Sequence, residues 1–240
     1  MLNNTLQTFA GLQCRVLDLL PKGQPPSHLI VVCHGFGASM DDLASFAPYL
    51  FQTNTATGDR CRFVFPNAPM DLGPLGMPGG RAWWEINMAR LAMINQTRNY
   101  QELTTVVPDG LIKASQQLAD AVREMQTTFE LNDASTTLAG FSQGAMISTD
   151  LVLRHNFVPQ RLCIFSGMLI CADDWTKFAQ RHTGCPVLQS HGRYDMVLPF
   201  EPAESLRDML TASGFDVTFL PFDADHTIPI DVLDHWAALL

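Results

Sequence analysis

A serine flanked by two glycines is the most chemically informative feature of the sequence. Residues 140–144 read Gly-Phe-Ser-Gln-Gly, and Ser142 follows the apolar run Thr136–Phe141 and precedes a helical pattern. A serine in a sharp strand-to-helix turn presents its hydroxyl clear of the sheet edge, and small flanking residues let the strand and helix approach closely. The pattern predicts a nucleophilic serine. The alternative is an N-cap, in which the side chain only closes the helix.

A serine hydroxyl becomes nucleophilic when a base takes its proton, and a carboxylate must hold that base in one tautomer. In doubly wound sheets that use such a serine, the carboxylate and then the histidine follow it along the chain. Asp195 follows the apolar run 186–189, and His226 follows the strand-like run 215–222. Both loops are expected at the carboxyl edge of the sheet. Ser142, Asp195 and His226 are therefore the predicted catalytic residues.

The sequence leaves alternatives open at two of these positions. Asp195 also fits a turn-forming aspartate, and His226 also fits a solvated loop histidine. Asp223 and Asp225 are rival carboxylates, although a well-aligned contact with His226 from so near in sequence needs a tight turn.

Two backbone N–H groups are predicted to stabilise an oxyanion. The N–H of Gln143 lies at a helix N-terminus, where donors lack partners and the helix dipole is positive. The second donor is the N–H of Phe36, which the glycines at positions 35 and 37 allow to turn towards the serine. His34, just before this loop, is expected to bond the loop backbone rather than to act in catalysis.

Strand-like runs alternate with helical patterns along the chain, which predicts βαβ units and therefore an α/β fold. The expected sheet is mostly parallel, has about seven strands and is covered by helices on both faces. The strand-like runs are 12–20, 29–33, 61–65, Thr136–Phe141, Arg161–Phe165, 186–189 and 215–222. The helical patterns are 39–50, 108–129, 144–155, 173–180, 202–213 and 229–240.

Residues 1–240 are predicted to form a single domain with one long loop or lid at about 70–107. A connection of this length is usually functional or flexible. Its apolar residues are hypothetical parts of a substrate pocket, with simple loop packing as an equally good account of each. These residues are Leu75, Met77, Trp83, Trp84 and Met88.

Composition excludes several classes of protein. The chain of 240 residues has a net charge of −9 and only three lysines, which argues against nucleic acid as a partner. No apolar run reaches the roughly 20 residues of a membrane span, so no stable membrane insertion is expected. No signal peptide is apparent. The six cysteines form no C-x-x-C pair and no metal-binding spacing occurs, so we expect buried thiols, no metal and a cytoplasmic protein.

Seven segments in this order make the sequence similar to the phospholipase/carboxylesterase family of α/β-hydrolases, which includes acyl-protein thioesterases. They are His-Gly-Phe-Gly at 34–37, Phe-Pro-Asn-Ala-Pro at 65–69, Arg-Ala-Trp-Trp-Glu at 81–85, the 140–144 motif, Phe-Ser-Gly at 165–167, His-Gly with Asp195 and 197–199, and His226-Thr227. The resemblance implies the α/β-hydrolase fold, a triad of Ser142, Asp195 and His226, oxyanion donors at Phe36 and Gln143, and no metal or cofactor. Phe36 departs from the family, which usually has Leu there.

The expected function is a serine hydrolase that cleaves carboxylic esters, or thioesters, of short to medium acyl chains through an acyl-enzyme intermediate. Its expected partner is a small-molecule acyl ester or thioester, and a homodimer is left open. The alternatives are a lysophospholipase or acyl-protein thioesterase acting on long-chain lipids, a peptidase or lactone hydrolase, a membrane-associated lipase that uses the 70–107 segment, and a non-catalytic binding protein on the same fold.

Overall fold

An eight-stranded sheet forms the centre of the computed structural model, which describes residues 1–182 and 184–240. In these residues the strands are β1 Asn3–Phe9, β2 Leu12–Asp18, β3 His28–Cys33, β4 Cys61–Pro66, β5 Met70–Asp71, β6 Arg81–Ala82, β7 Thr136–Phe141, β8 Arg161–Phe165, β9 Pro186–Gly192 and β10 Asp216–Phe222. The sheet order is β1-β2-β4-β3-β7-β8-β9-β10, and β5 pairs separately with β6. In the eight-stranded sheet β1, β2 and β4 pair antiparallel, and each neighbouring pair in the order β4-β3-β7-β8-β9-β10 is parallel. The β5–β6 pair is antiparallel.

Helices connect the strands and cover both faces of the sheet. Over the described residues they are α1 Phe46–Thr53, α2 Thr55–Arg60, α3 Met88–Thr97, α4 Tyr100–Thr105, α5 Leu111–Phe129, α6 Gln143–Arg154, α7 Ala172–Ala179, α8 Phe200–Ala212 and α9 Ile230–Ala238. Short 3-10 turns occur at Gly73–Leu75 and Asp133–Ser135.

Strand β3 shows how the sheet divides the interior into two cores. Leu29, Val31 and Cys33 pack in one core with residues of α5 and α6, whereas Ile30 and Val32 pack in the other with residues of α1 and α9. Side chains of a strand alternate between faces, so a run that is apolar at every position is buried on both sides. The continuous apolar runs of the sequence are therefore the central strands.

The predicted mostly parallel sheet of about seven strands is confirmed; it has eight, because the N-terminal β1 adds an antiparallel edge strand. Two predictions about the elements need correction. The helix predicted over 39–50 begins only at Phe46, after a series of turns. The segment 70–107, predicted as one long loop, contains the β5–β6 pair and the helices α3 and α4.

Parallel pairing brings the loops that carry the predicted site to one edge. Strands β3, β7, β8, β9 and β10 are neighbours in that order and run in the same direction. Their carboxyl ends therefore meet at a single edge of the sheet, where open α/β sheets bind their ligands.

Candidate active site

The turn between β7 and α6 holds Ser142 in an uncommon backbone conformation. Its φ of 56° and ψ of −119° lie outside the regions that residues with a side chain ordinarily adopt. A Cβ on Gly140 would lie 2.2 Å from the Gly144 carbonyl oxygen, and a Cβ on Gly144 would lie 2.0 Å from the Cys33 carbonyl oxygen. Both glycines are required by these backbone contacts. The Ser142 side chain makes no capping hydrogen bond to α6, contrary to the N-cap alternative.

The side chains of Asp195 and His226 form a direct hydrogen bond. The Nδ1 of His226 lies 2.6 Å from the Oδ2 of Asp195, and the other carboxylate oxygen, Oδ1, accepts hydrogen bonds from the N–H groups of Val197 at 2.9 Å and Leu198 at 2.8 Å. Two backbone donors and one imidazole therefore orient the carboxylate. The rival carboxylate of Asp223 is exposed and pairs with Arg193 at 3.2 Å.

Backbone contacts between neighbouring loops fix the position of His226. The N–H of Arg193 donates to the Phe222 carbonyl at 2.8 Å, and that of Tyr194 donates to the Ala224 carbonyl at 3.1 Å. From the other side, the buried Ser166 donates through Oγ to the Thr227 carbonyl at 3.0 Å. The loops after β8, β9 and β10 are thus joined around the imidazole.

A second histidine, which the sequence argument did not assign, lies behind Asp195. The Nε2 of His191 donates to the Leu198 carbonyl at 2.8 Å and lies 3.4 Å from the Oδ2 of Asp195. Burial lowers the pKa of His191, so the ring next to the carboxylate is neutral. The position of His191 near the end of β9, four residues before Asp195, is the sequence signal that would have found it.

The loop after β3 lies against the serine turn. A Cβ on Gly35 would lie 3.4 Å from the Cβ of Ser142. In the described part of the chain, the N–H of Phe36 makes no backbone hydrogen bond. The N–H of Gln143, the first residue of α6, has no acceptor within its own helix. Two donors that the fold leaves free thus flank the turn that carries Ser142.

His34 has the structural role that the sequence predicts for it. Its Nδ1–H donates to the Gly35 carbonyl at 2.7 Å, and its Nε2 accepts from the Ala68 N–H at 3.0 Å. Burial lowers the pKa of His34 to about 4, so the ring is neutral and can accept that second bond.

Trp83 links the loop after β3 to the start of α6. Its indole Nε1–H donates to the His34 carbonyl at 3.0 Å, and its backbone N–H donates to the Gln143 Oε1 at 2.9 Å. The Gln143 Nε2 in turn donates to the Trp84 carbonyl at 2.8 Å. Trp83 and Gln143 are almost completely buried. The side chain of Gln143 therefore bonds to the backbone of Trp83 and Trp84, while its own backbone N–H remains available to a ligand.

A cavity of about 450 Å³ opens in front of Ser142 and His226. Two residues predicted for substrate contact, Met77 and Met88, line this cavity. Leu75 lines neither this cavity nor the one beside it and is 62% exposed. The fold thus brings only part of the predicted pocket to the serine.

A second, mostly apolar cavity of about 210 Å³ lies beside the first, between the loop 84–87 and helices α3 and α4. Trp84 lines it, whereas Trp83 lines neither cavity. The two cavities share four side chains, which the sequence argument missed: Ile86, Leu91, Met146 and Leu198. These four side chains form the boundary between the two cavities.

In residues 1–182 and 184–240, no three or more His, Cys, Asp or Glu side chains are arranged so that they could hold a metal ion. None of the helices there is long and apolar enough to cross a membrane.

Comparison with family models identifies the chain. Residues 17–237 match the model of the phospholipase/carboxylesterase family. The chain belongs to this family. The match spans β3 to α9 and so includes every loop described above, and membership makes the chain a hydrolase of carboxylic esters.

Similar proteins agree with this assignment. Acyl-protein thioesterase 1 of Debaryomyces hansenii is 24% identical over 197 residues, covering 80% of each chain. The esterase YpfH of Escherichia coli is 23% identical over 214 residues, covering 85% of this chain and 78% of that protein. The crystal structure of esterase PE8 superposes with a TM-score of 0.75 at 25% identity, covering 99% of this chain and 97% of the other. The fold is the α/β-hydrolase fold.

Proposed function

We propose that the chain hydrolyses carboxylic esters or thioesters of short to medium acyl chains through an acyl-enzyme intermediate, with Ser142, Asp195 and His226 as its catalytic triad. The observation that carries the proposal is the 2.6 Å contact between His226 Nδ1 and Asp195 Oδ2, beside a cavity that Ser142 and His226 both line. Family membership supports the ester substrate, and the relatives named acyl-protein thioesterase 1 support the thioester.

The hydrogen bonds define the direction of proton transfer. Asp195 accepts the Nδ1–H of His226, so the Nε2 of His226 is the free base that takes the proton of the Ser142 hydroxyl. The Ser142 Oγ attacks the substrate carbonyl, and the imidazolium protonates the leaving alcohol or thiol as it departs. Water then enters, His226 removes its proton, and the acid is released from Ser142.

The tetrahedral intermediates carry negative charge on the former carbonyl oxygen. The N–H groups of Phe36 and Gln143 are the proposed donors to that oxygen. Among the described residues the Phe36 N–H makes no backbone hydrogen bond, and the Gln143 N–H has no acceptor within α6. Loss of one such donor typically lowers the rate by roughly a hundred- to thousandfold. Because both donors belong to the backbone, the side chain at position 36 is free to shape the substrate cavity.

The acyl chain is proposed to extend from Ser142 past Ile86 and Leu91 into the apolar cavity under α3 and α4. That cavity of about 210 Å³ is lined in part by the buried Met168 and Ile170. Each methylene transferred there from water is worth about 0.8 kcal/mol. The cavity therefore favours an aliphatic acyl group over a polar one, and its modest volume supports the proposed preference for short to medium chains.

Long-chain substrates are the second candidate function, because the curated relatives include acyl-protein thioesterases. A series of p-nitrophenyl esters with increasing acyl length decides between the two. A maximum of kcat/KM at a short or medium chain supports the proposal, whereas a rate that rises to palmitate supports the alternative.

A covalent probe tests the nucleophile. A fluorophosphonate should add one phosphonyl group to the protein, and peptide mapping should find it on Ser142. The Ser142→Ala variant should keep its circular dichroism spectrum, remain unlabelled and lose essentially all p-nitrophenyl ester hydrolysis. Labelling at another serine, or full activity of this variant, would refute the proposed nucleophile. An intact fold without labelling would instead favour a binding protein.

The cytoplasm is the proposed location. All six cysteines are buried and unpaired, and burial raises the pKa of the Cys14 and Cys33 thiols to about 12. Free thiols in this number are typical of a reducing compartment. A homodimer stays a prediction, which sedimentation velocity would test.

A further inference from the structure

The cavity in front of Ser142 contains a carboxylate that the proposed mechanism does not use. Asp42, on the loop after β3, lines this cavity together with Phe36, Phe141 and His226. Among the described residues, no lysine or arginine lines the cavity, and Asp42 is the only acidic one. The charge that faces a bound substrate from the walls of this cavity is therefore negative.

Asp42 differs from its neighbour in the sequence, Asp41, in having no ion-pair partner among the described residues. Asp41 forms an ion pair with Arg15 of β2. Asp42 is exposed on the rim of the cavity, and partial desolvation raises the pKa of its carboxyl. A positively charged group brought into the cavity would supply this missing partner.

The aromatic side chains of the same cavity also favour a cation. Phe36 and Phe141 line it and are only partly buried, although Phe141 also packs against the His226 ring, with 4.7 Å between ring centroids. An ammonium group is attracted to the face of an aromatic ring, by an amount that grows as water is excluded.

We infer that this cavity receives the leaving group of the substrate and selects leaving groups that carry positive charge near the scissile bond, with Asp42 and Phe36 as specificity-determining residues. The inference rests on the proposed function, because attack by Ser142 defines which part of the substrate leaves. The acyl chain occupies the neighbouring apolar cavity, which leaves the cavity of Asp42 for the alcohol or thiol. A leaving group with a phosphate beside the ester would instead be repelled by Asp42.

Two thioesters of equal shape test this inference. Butyrylthiocholine carries a quaternary ammonium group, and S-(3,3-dimethylbutyl) thiobutyrate has carbon in place of that nitrogen, so the pair differs in charge alone. Release of thiol is followed with a chromogenic disulfide. In the wild-type protein kcat/KM should be about three- to tenfold higher for the cationic thioester, from one partly exposed charge pair and one cation–π contact.

Variants at neighbouring positions show which groups are responsible. Asp42→Asn should lower the ratio of the two kcat/KM values by about two- to fivefold, chiefly through KM of the cationic thioester. Phe36→Leu should also lower it. Asp41→Asn removes the same charge one residue away, outside the cavity, and should keep the wild-type ratio. Equal reductions in Asp41→Asn and Asp42→Asn would overturn the inference, because the effect would then be one of net charge.

Salt provides a measurement that needs no variant. At about 0.5 M salt the screening length falls to about 4 Å, so the wild-type preference for the cationic thioester should shrink. Equal kcat/KM for both thioesters at low salt would overturn the inference while leaving the proposed function intact. If neither thioester nor p-nitrophenyl butyrate is hydrolysed and the fluorophosphonate fails to label Ser142, the proposed function falls and the inference falls with it.

Discussion

The two carboxylate oxygens of Asp195 have separate roles. Oδ1 accepts the N–H groups of Val197 and Leu198, and Oδ2 accepts the Nδ1–H of His226. The first pair of bonds sets the direction of the second. An aspartate that served only as a turn former would need the first pair alone, so the bond to His226 is what distinguishes a catalytic carboxylate from the turn-forming alternative.

This division predicts the outcome of Asp195→Asn. The amide oxygen can still accept from Val197 and Leu198, which leaves the NH₂ group facing the Nδ1 of His226. The imidazole must then carry its proton on Nε2 and cannot accept the proton of Ser142. By analogy with the aspartate-to-asparagine change in other serine hydrolases, kcat should fall by about 10⁴-fold with KM little changed.

Asp223→Asn is the matched control. Asp223 is one of the two rival carboxylates, it lies three residues before His226, and it pairs with Arg193 rather than with the imidazole. Its steady-state kinetics with p-nitrophenyl butyrate should match those of the wild-type protein. The assignment of the carboxylate would be wrong if Asp223→Asn were the variant that lost activity and Asp195→Asn the one that kept it.

At the scale of the elements, the segment 81–85 does more than cover the site. Through Trp83 and Gln143 it connects the loop after β3 with the N-terminus of α6, and these two elements carry the proposed oxyanion donors. The Trp83 indole donates to the His34 carbonyl, two residues before Phe36. Trp83 was predicted to contact substrate, but its contacts are those of a positioning residue.

Trp83→Phe should therefore lower kcat more than it changes KM. A smaller aromatic ring replaces the indole, and the buried His34 carbonyl loses its donor, which costs about 1–3 kcal/mol of stability and loosens the Phe36 N–H. We expect kcat to fall by about tenfold, less than the full loss of an oxyanion donor. Binding of a boronic acid, which forms a tetrahedral adduct on the serine, should weaken in parallel with kcat.

Trp175→Phe controls for the loss of a buried indole hydrogen bond by a residue that lines neither cavity. The Trp175 Nε1 donates to Asp150 at 2.8 Å on the α6–α7 side of the sheet. This variant should lose comparable thermal stability and retain kcat. If both variants lose kcat equally, or if neither does, Trp83 has only a structural role.

The elements also show where sequence reasoning succeeds. Strand β7 and the turn at Ser142 are predictable because β7 is rich in β-branched and apolar residues and two glycines mark the close approach of helix and strand. Strand β1 was missed because it is an edge strand whose side chains are mostly exposed, so its sequence carries no apolar alternation.

Helices α3 and α4 were missed for a different reason. In α3 only Leu91 and Ile94 are buried, so its apolar stripe is too short to be recognised by periodicity. The available signal was a cap, since Asn87 accepts a hydrogen bond from the Arg90 N–H. The boundary between the two cavities involves residues from four separate segments, and one sequence contains no signal for that proximity.

At the scale of the whole molecule, buried histidines make stability depend on pH, and His28 and His34 are the clearest cases. Burial lowers the pKa of both His28 and His34 from 6.5 to about 4, with a smaller contribution at His28 from the charge of Arg60. Above pH 6.5 the imidazoles are neutral in the folded and unfolded states, and their contribution to stability is fully present. Between pH 6.5 and about 4 only the unfolded state binds the protons, so stability falls as the pH falls.

Urea unfolding at a series of pH values measures this loss. Each proton bound only by the unfolded state removes about 1.4 kcal/mol of unfolding free energy per pH unit. His28→Gln removes one such proton far from the proposed catalytic residues, at the cost of altering the bond between His28 and Thr137. Its unfolding free energy should therefore decline less steeply below pH 6.5 than that of the wild-type protein. The exposed His235, changed to glutamine, should leave the wild-type slope, and an equal slope in both variants would contradict the role assigned to His28.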